Sequence, residues 1–389
     1  MPHPADLLTT VRLVELTKTM VAIPSVTGGE QRLADWVAAF LGELGLRNVR
    51  RLAVDEAGDS VVAEHGAAGG PALMLNFHLD TFDVFDGWRT APFAPTQEGR
   101  WLYGLGAHDM KGGAACVLGA VEAIVRSGTQ LGGRLFVSAT SDEENWSRGV
   151  HALIRSGLLE GCAGCLVPEP SAAGTLTVGQ RGRHVFRLAF YGRAAHAAYG
   201  GGVNAVADAA RVASLLSAPG AVGLGHSQEF GLSGSICVSG LHGGGTLILV
   251  PERAELFVDR HILPGERAEQ AAAQIRAVVE RAGVGSRWEL RWDERPTPAP
   301  GPFVVGADTP LVRVVRGHLA REQGREVRLV LGRSVADTNH FAVHGGVPTL
   351  ICGPQGGNTC EANEYVEVDS LLPIARTYVH SVLELLGAA

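Results

Sequence analysis

The chain lacks the features that define several large protein classes. Its six cysteines, Cys116, Cys162, Cys165, Cys237, Cys352 and Cys360, are scattered through 389 residues and form no disulfide framework. No apolar run reaches the length that spans a bilayer. Asp6, Arg12 and Glu15 interrupt the amino-terminal apolar residues, so the charged start and unbroken apolar stretch of a secretory signal are missing. Basic side chains are in deficit, 33 against 40 acidic, and the resulting net charge of -7 argues against polyanionic partners. These absences predict a soluble cytoplasmic protein that pairs with neither a membrane nor a nucleic acid.

What is present points to a folded enzyme-like chain. Hydrophobic residues at 46% and charged residues at 19% are incompatible with general disorder. The length allows roughly two to three domains with a substantial core. The 52 glycines follow no collagen-like period, which implies tight turns and close backbone approaches of the kind found in loop-built sites.

Short apolar runs end repeatedly in polar clusters. Ala72 to Phe77 precedes His78 and Asp80, Leu135 to Thr140 precedes Asp142, Glu143 and Glu144, Leu166 and Val167 precede Glu169, and Thr349 to Cys352 precede a glycine-rich loop. These runs read as buried strands. Leu33, Trp36, Val37, Phe40, Leu41 and Leu44 recur at helical spacing, as do Val117, Leu118, Val121, Ile124 and Val125. Alternating strands and helices predict an α/β domain with a mostly parallel sheet, whose ligands sit beyond the carboxyl ends of its strands.

From about Gly182 the pattern becomes β-α-β-β-α-β: strands at His184 to Tyr191, Gly234 to Leu241, Ala254 to Leu263 and Trp288 to Trp292, with helices around Ala205 to Leu216 and Ala268 to Ala282. That order predicts an inserted ferredoxin-like α+β domain. A proline-rich segment, Pro296 to Pro302, leads back to the first pattern. The expected division is therefore a catalytic domain in two parts, residues 1–181 and 296–389, around an inserted domain at 182–295.

The chemistry gathers at the expected carboxyl edge. His78-Leu79-Asp80 offers a ring nitrogen with a carboxylate able to hold the imidazole in its metal-binding tautomer. His108-Asp109-Met110-Lys111-Gly112-Gly113 places a carboxylate at a strand-to-helix turn, where paired glycines permit close backbone approach. Asp142-Glu143-Glu144 and Glu169 add further anions. So many carboxylates at one edge repel one another unless a cation neutralises them, which points to a multivalent metal site.

With Gly106-Ala107-His108-Asp109-Met110-Lys111-Gly112-Gly113, Glu169-Pro170 and Asn363-Glu364-Tyr365-Val366 in the same order, the chain resembles the zinc aminoacylase and carboxypeptidase family of metallopeptidases. That family includes acetylornithine deacetylase, succinyl-diaminopimelate desuccinylase, aminoacylase and glutamate carboxypeptidase. The resemblance covers essentially the whole chain. It implies a catalytic domain of zinc-peptidase type with an inserted dimerisation, or lid, domain, and a homodimer acting on a small-molecule amide. It further implies two Zn2+ ions per subunit, with Co2+ or Mn2+ as substitutes, bridged by Asp109. His78 and Glu169 would complete one ion's protein ligands, and Glu144 with a carboxy-terminal residue the other's. Asp80 would orient His78, Glu143 would be the general base, and His196 would reach the partner subunit's site to stabilise the oxyanion.

The chain departs from the family at several of these positions. The carboxy-terminal ligand is usually a histidine, and here Cys360 takes its place. Either the thiolate ligates, or Glu361 substitutes, or the thiol is merely buried and one metal is lost. His261 stands where an arginine commonly grips a substrate carboxylate, Ile248 where an asparagine is usual, and Asn339 where an arginine is frequent. These three positions, with Gly356 and Gly357 of the glycine-rich loop, are the expected substrate contacts. Arg181, Arg260 and Arg333 are candidate replacements for the missing cations. Cys162-Ala163-Gly164-Cys165 has metal or redox spacing but no second pair, and reads as an inert strand-edge pair. His108 and His340 read as packing residues or supports of the site.

The resulting expectation is a zinc-dependent amidohydrolase that deacylates an amino-acid-like amine or cleaves a small peptide-like amide, with Glu143 as base. Two alternatives stand beside it. One is a remodelled relative that uses the scaffold for amide formation or rearrangement. The other is a metal-depleted binding protein, which has little use for Glu143.

Overall fold

Ala72–His78 forms a strand buried along its whole length, as a continuous apolar run flanked by neighbours on both sides should be. In the computed structural model, which describes residues 2–387, this strand pairs parallel with Arg134–Thr140 on one side and Cys162–Val167 on the other. Thr349–Ile351 extends the parallel centre by pairing with Cys162–Val167. Toward the edges the pairing turns antiparallel, with Ser60–Gly66 on Arg134–Thr140, Arg47–Leu52 on Ser60–Gly66, and Thr175–Gln180 on Thr349–Ile351.

Register places the polar clusters together. His78 lies opposite Thr140, so the two strands end level and their following residues, Asp80 and Asp142–Glu144, leave the sheet side by side. The helix Gly112–Ser127 is buried along almost all its length. It can start against the next strand's end only because residue 113 has no side chain: a Cβ on Gly113 would meet the carbonyl oxygen of Pro168 at 2.2 Å. That contact sets the Asp109 turn beside Glu169.

The chain divides into two compact units. The first runs up to Gly179 and includes Val304–Val330 and the residues from Ala336 onward; the second comprises Gln180–Phe303 and Leu331–Val335. The second unit thus extends beyond the expected 182–295 to take in residues 180–181, the proline-rich residues 296–302 with Phe303, and the short stretch 331–335.

The second unit is a four-stranded antiparallel sheet in the order Ser235–Gly243, Arg253–Ile262, Gly182–Tyr191, Arg287–Trp292. Helices Ala205–Ser217 and Ala268–Ala282 supply the split β-α-β connections. Phe186, Leu188, Phe190, Val212, Leu256 and Ile275 make its separate core.

One element has no counterpart in the sequence reading. Thr96–Glu98, Trp101–Tyr103, Tyr365–Glu367 and Gly356–Gly357 form a small antiparallel sheet within the first unit. It anchors the carboxy-terminal loop that carries Cys360.

Candidate metal centre

His78 is the last residue of its strand, and both ring nitrogens are engaged. Nδ1 lies 3.0 Å from the backbone oxygen of Asp80, to which it donates, and Nε2 lies 3.1 Å from Oδ1 of Asp109 and 3.9 Å from Oε1 of Glu169. Burial disfavours a charged ring, but the hydrogen bond to Asp109 and the charges of Glu169 and Glu143 outweigh it and hold the His78 pKa well above its ordinary value. The orientation of His78 thus comes mainly from the backbone oxygen of Asp80, since the Asp80 carboxylate is farther away at 3.7 Å. That carboxylate has a different employment: it accepts from the N–H groups of Glu143 at 3.1 Å and Glu144 at 3.0 Å and from the Thr27 hydroxyl at 3.0 Å. Asp80 therefore anchors the Glu143–Glu144 peptide, a contact distinct from the orientation of His78 expected of it.

Asp109 sits in a turn between Gly106, which is left-handed at φ 76°, and the helix starting at Gly112. Its side chain keeps 15% exposure while His78 keeps 2%. Its two carboxylate oxygens face different groups: Oδ1 toward His78, and Oδ2 toward the Cys360 thiol at 3.8 Å. Burial raises the Asp109 pKa, but the bond and charge from His78 reverse the sign and hold it below the usual carboxylate range.

Glu143 and Glu144 follow Asp142, whose φ of 62° turns the chain sharply at the sheet edge. Asp142 itself caps the next turn, accepting from the Asn145 amide at 3.2 Å and from the Arg148 N–H at 3.1 Å. Burial, then the neighbouring anions, push Glu143 and Glu144 well above the carboxylate range. Glu169 is raised too, by burial and then by Asp109. The ligand atoms of His78, Asp109 and Glu144 all lie within 4.8 Å of one another, and Oε1 of Glu144 is buried without a hydrogen-bond partner. An orphaned buried oxygen among mutually repelling carboxylates fits a divalent cation, which satisfies the oxygen and cancels the repulsion.

Cys360 lies in a loop with left-handed residues at Asn358, Cys360 and Asn363. The loop is pinned by Asn358 Nδ2 to the Asn363 oxygen at 3.0 Å, by Asn363 Nδ2 to the Gly87 oxygen at 3.1 Å, and by the Arg89 N–H to Asn363 Oδ1 at 2.8 Å. His108 supports it as well, with Nδ1 2.7 Å from the Thr359 hydroxyl. Burial, followed by the charges of Asp109 and Glu144, raises the Cys360 pKa, so without a cation the thiol stays protonated.

Other expected residues receive different settings. Asn339, expected to contact substrate, is fully buried, and its side-chain oxygen accepts from the Ala336 N–H at 3.0 Å at the start of a helix. Gly356 and Gly357 pair with Val366 and Tyr365, and a Cβ on Gly356 would meet the Tyr365 oxygen at 2.2 Å and the His108 ring at 2.6 Å. Close packing is thus sufficient reason for glycine there. His340 lies with its Nδ1 2.9 Å from His151 Nε2, in a buried histidine pair. Cys162 and Cys165 are buried free thiols on one strand.

In the second unit, Ile248 is half exposed and its backbone oxygen accepts from the Ala197 N–H at 2.9 Å. His261 Nδ1 lies 3.2 Å from Asp259, and His196 is exposed with its ring stacked on Tyr199. Arg260 is not an available cation, because it is fully buried against Glu266 and the backbone oxygens of Ser235 and His261. Arg181 is likewise bonded to the backbone oxygens of Ser233 and Arg333. The sequence reading passed over Asp337, whose N–H donates to Glu143 and whose side chain is 1% exposed. Its only signal in the sequence is an acid at the start of a helix.

Residues 74–384 match the peptidase family M20/M25/M40. Succinyl-diaminopimelate desuccinylase of Stenotrophomonas maltophilia is 30% identical over 391 residues, covering 96% of this chain and 99% of that protein. A Staphylococcus aureus tripeptidase structure superposes with a TM-score of 0.81 at 20% identity, covering 98% of this chain and 99% of that one. A Bacillus subtilis protein described as a dinuclear metal-binding peptidase of family M20 gives a TM-score of 0.72 at 17% identity, covering 98% and 99%. At such identities the two structures speak for the fold.

Proposed function

The chain belongs to peptidase family M20/M25/M40 and is a hydrolase of amide bonds, and from that premise we propose that it removes an acyl group from an N-acylated amino-acid-like amine, or cleaves a small peptide-like amide, with two zinc ions. The observation that carries this reading is the division of Asp109's oxygens, one facing His78 and the other Cys360. In it His78 and Glu169 would hold one ion, Glu144 and Cys360 the other, and Asp109 would serve both. The chemistry supplied by metal at this site, when bound, is polarisation of the amide carbonyl and acidification of a water.

The remaining steps belong to the chain. Glu143 lies beside the ligand set, where the charge of bound cations would offset the burial and neighbouring anions that raise its proton affinity and keep it a carboxylate. It takes the water's proton and passes it to the leaving nitrogen. His196 of the partner subunit donates a hydrogen bond to the carbonyl oxygen as charge develops there, which requires a homodimer. The acyl-amine class is supported by the name of the desuccinylase relative. His261, Ile248 and Asn339 supply no guanidinium, so the substrate's polar end is read without the usual arginine fork at these positions. Among the described residues no helix is long and apolar enough to cross a membrane, and we place the activity in the cytoplasm.

Metal analysis of the purified, reduced protein, followed by assay against N-acyl amino acids and dipeptides, tests the reading. The expected result is two metals per chain and hydrolysis that chelation abolishes and Zn2+ restores. Metal-loaded protein that hydrolyses none of the panel counts against it and favours the remodelled alternative.

A further inference from the structure

Glu364 is not among the metal-facing residues, yet both oxygens of its buried carboxylate are spent on the turn that presents Asp109. Oε1 accepts from the N–H of His108 at 2.9 Å and from the N–H of Asp109 at 2.8 Å, while Oε2 accepts from the N–H of Gly106 at 2.8 Å. Its backbone oxygen takes a fourth N–H, that of Gly104, at 3.0 Å. The turn needs such a partner. Asp109, at φ −117° and ψ 92°, and Met110, at φ −132° and ψ 30°, are not helical, so although the Lys111 N–H closes the turn onto the Gly106 oxygen at 2.8 Å, regular helical geometry does not fix the direction of the Asp109 side chain.

The same cluster contains a buried cation. Lys111 is 1% exposed, its amine donates to the Ile23 oxygen at 3.1 Å, and its attraction to Glu364 exceeds its attraction to Asp80. Asp80 is the carboxylate that anchors the Glu143–Glu144 peptide. Lys111 is thus a buried basic group near two acids that hold site-bearing backbone, and its charged form would favour theirs.

We propose that Glu364 is the positioning residue of the metal-bridging carboxylate: by gathering the N–H groups of Gly106, His108 and Asp109 it fixes where Asp109 presents its two oxygens. This rests on the reading of Asp109 as a metal ligand. A carboxylate is required because all three groups facing it are donors. In Glu364→Gln one arm becomes an NH2 group that must face a backbone N–H, so at least one clamp contact turns repulsive.

The test is titration of metal-free protein with Co2+, followed by visible absorption, for the wild type, Glu364→Gln and Glu364→Asp, with thermal melting by circular dichroism in parallel. Glu364→Gln is expected to bind Co2+ about 10- to 100-fold more weakly, the range seen when supports of metal ligands are lost. Its d–d spectrum is also expected to change, as a purely structural loss would not make it do. Glu364→Asp, which keeps the charge but shortens the arm, is expected to recover part of the affinity and of the wild-type spectrum, and it carries the test if Glu364→Gln does not fold. Wild-type Co2+ affinity and spectrum in the variants overturn the proposal. A wild type that binds no Co2+ overturns instead the metal reading on which the proposal rests.

Discussion

The backbone N–H of Asp337 donates to Oε1 of Glu143 across 3.2 Å, so the first residue of the helix Asp337–Val343 orients the proposed general base. Both residues carry carboxyl groups buried in a poorly solvated site. Burial raises both, and the charge of Asp337 adds to the rise at Glu143. A glutamate so placed is a stronger base than one in water, which suits a group that must take a proton and then give it back.

Glu143 is therefore expected to matter for turnover and not for metal retention. It is absent from the trio of mutually close donors, His78, Asp109 and Glu144. Glu143→Ala should lower kcat by about 10²- to 10⁴-fold or more with metal content unchanged. Asp109→Ala should instead empty the site. Steady-state kinetics with metal analysis of both variants separates the roles, and normal turnover by Glu143→Ala would contradict the mechanism.

Cys360 makes a second, independent prediction. Its thiol is held protonated by burial and by the charges of Asp109 and Glu144. A metal ligand must be deprotonated, so loading the site should release a proton from this thiol into solution. Proton release on Zn2+ addition, followed with an indicator dye, should fall by about one per chain in Cys360→Ser. Bound metal should also slow alkylation of Cys360 under denaturant-free conditions at alkaline pH, where the thiolate begins to form. Equal proton release by the two proteins leaves Cys360 outside the ligand set.

Legibility of the sequence followed the range of the signal. Strands such as Ala72–His78 and helices such as Ala268–Ala282 announce themselves by local apolar period, and the acids that follow the strands were readable as a site because parallel strands end together. What stayed hidden depends on contacts between distant segments. The pairing of Trp101–Tyr103 with Tyr365–Glu367 involves three-residue strands too short for any period. Asp80 meets the Glu143–Glu144 peptide through two hydrogen bonds and Asp337 meets Glu143 through one, between segments far apart in the chain. Residue type alone cannot reveal which backbone N–H a carboxylate will meet.

The buried carboxylates also predict how pH acts on the metal-free protein. Burial pushes the Glu364 carboxyl up to about 7 and raises Glu144 and Glu169 in the same direction. Groups whose folded pKa is raised bind more protons folded than unfolded, so their contribution is full below the unfolded value and is lost as pH rises through the folded one. His78, also raised, acts with the same sign. Metal-free protein should therefore lose stability between roughly pH 4.5 and pH 7, by about 1.4 kcal/mol per pH unit for each proton in excess. Above pH 7 Lys111 opposes this, because burial lowers its pKa to about 7 and the unfolded chain then binds the extra proton. Metal favours the deprotonated ligands, so the rise in Tm on adding Zn2+ should grow from pH 5 to pH 7. A metal-induced Tm shift that is flat across this range would contradict the linkage.

The last prediction concerns His196 and the dimer. Its Nδ1 accepts from the Ala198 N–H at 3.2 Å, which leaves the ring proton on Nε2 as a hydrogen-bond donor. The segment is steadied by backbone bonds to a neighbouring stretch, from the Ala197 N–H to the Ile248 oxygen at 2.9 Å and from the Val250 N–H to the Ala195 oxygen at 2.8 Å. A fixed donor aimed at a developing oxyanion is worth about 2.7 to 4 kcal/mol, so His196→Ala should lower kcat roughly a hundredfold or more without releasing metal. Loss of turnover alone does not reveal which subunit's site the histidine serves. Mixing does: a heterodimer of His196→Ala and Glu143→Ala chains has both lesions in one site and neither in the other if the histidine acts in trans, because two-fold symmetry makes the exchange reciprocal. Activity should then return toward the fraction expected from the heterodimer population, measured after verified subunit exchange. If the histidine acted within its own subunit, each site would carry one lesion and mixing would restore nothing, and an active monomer would exclude the shared site directly.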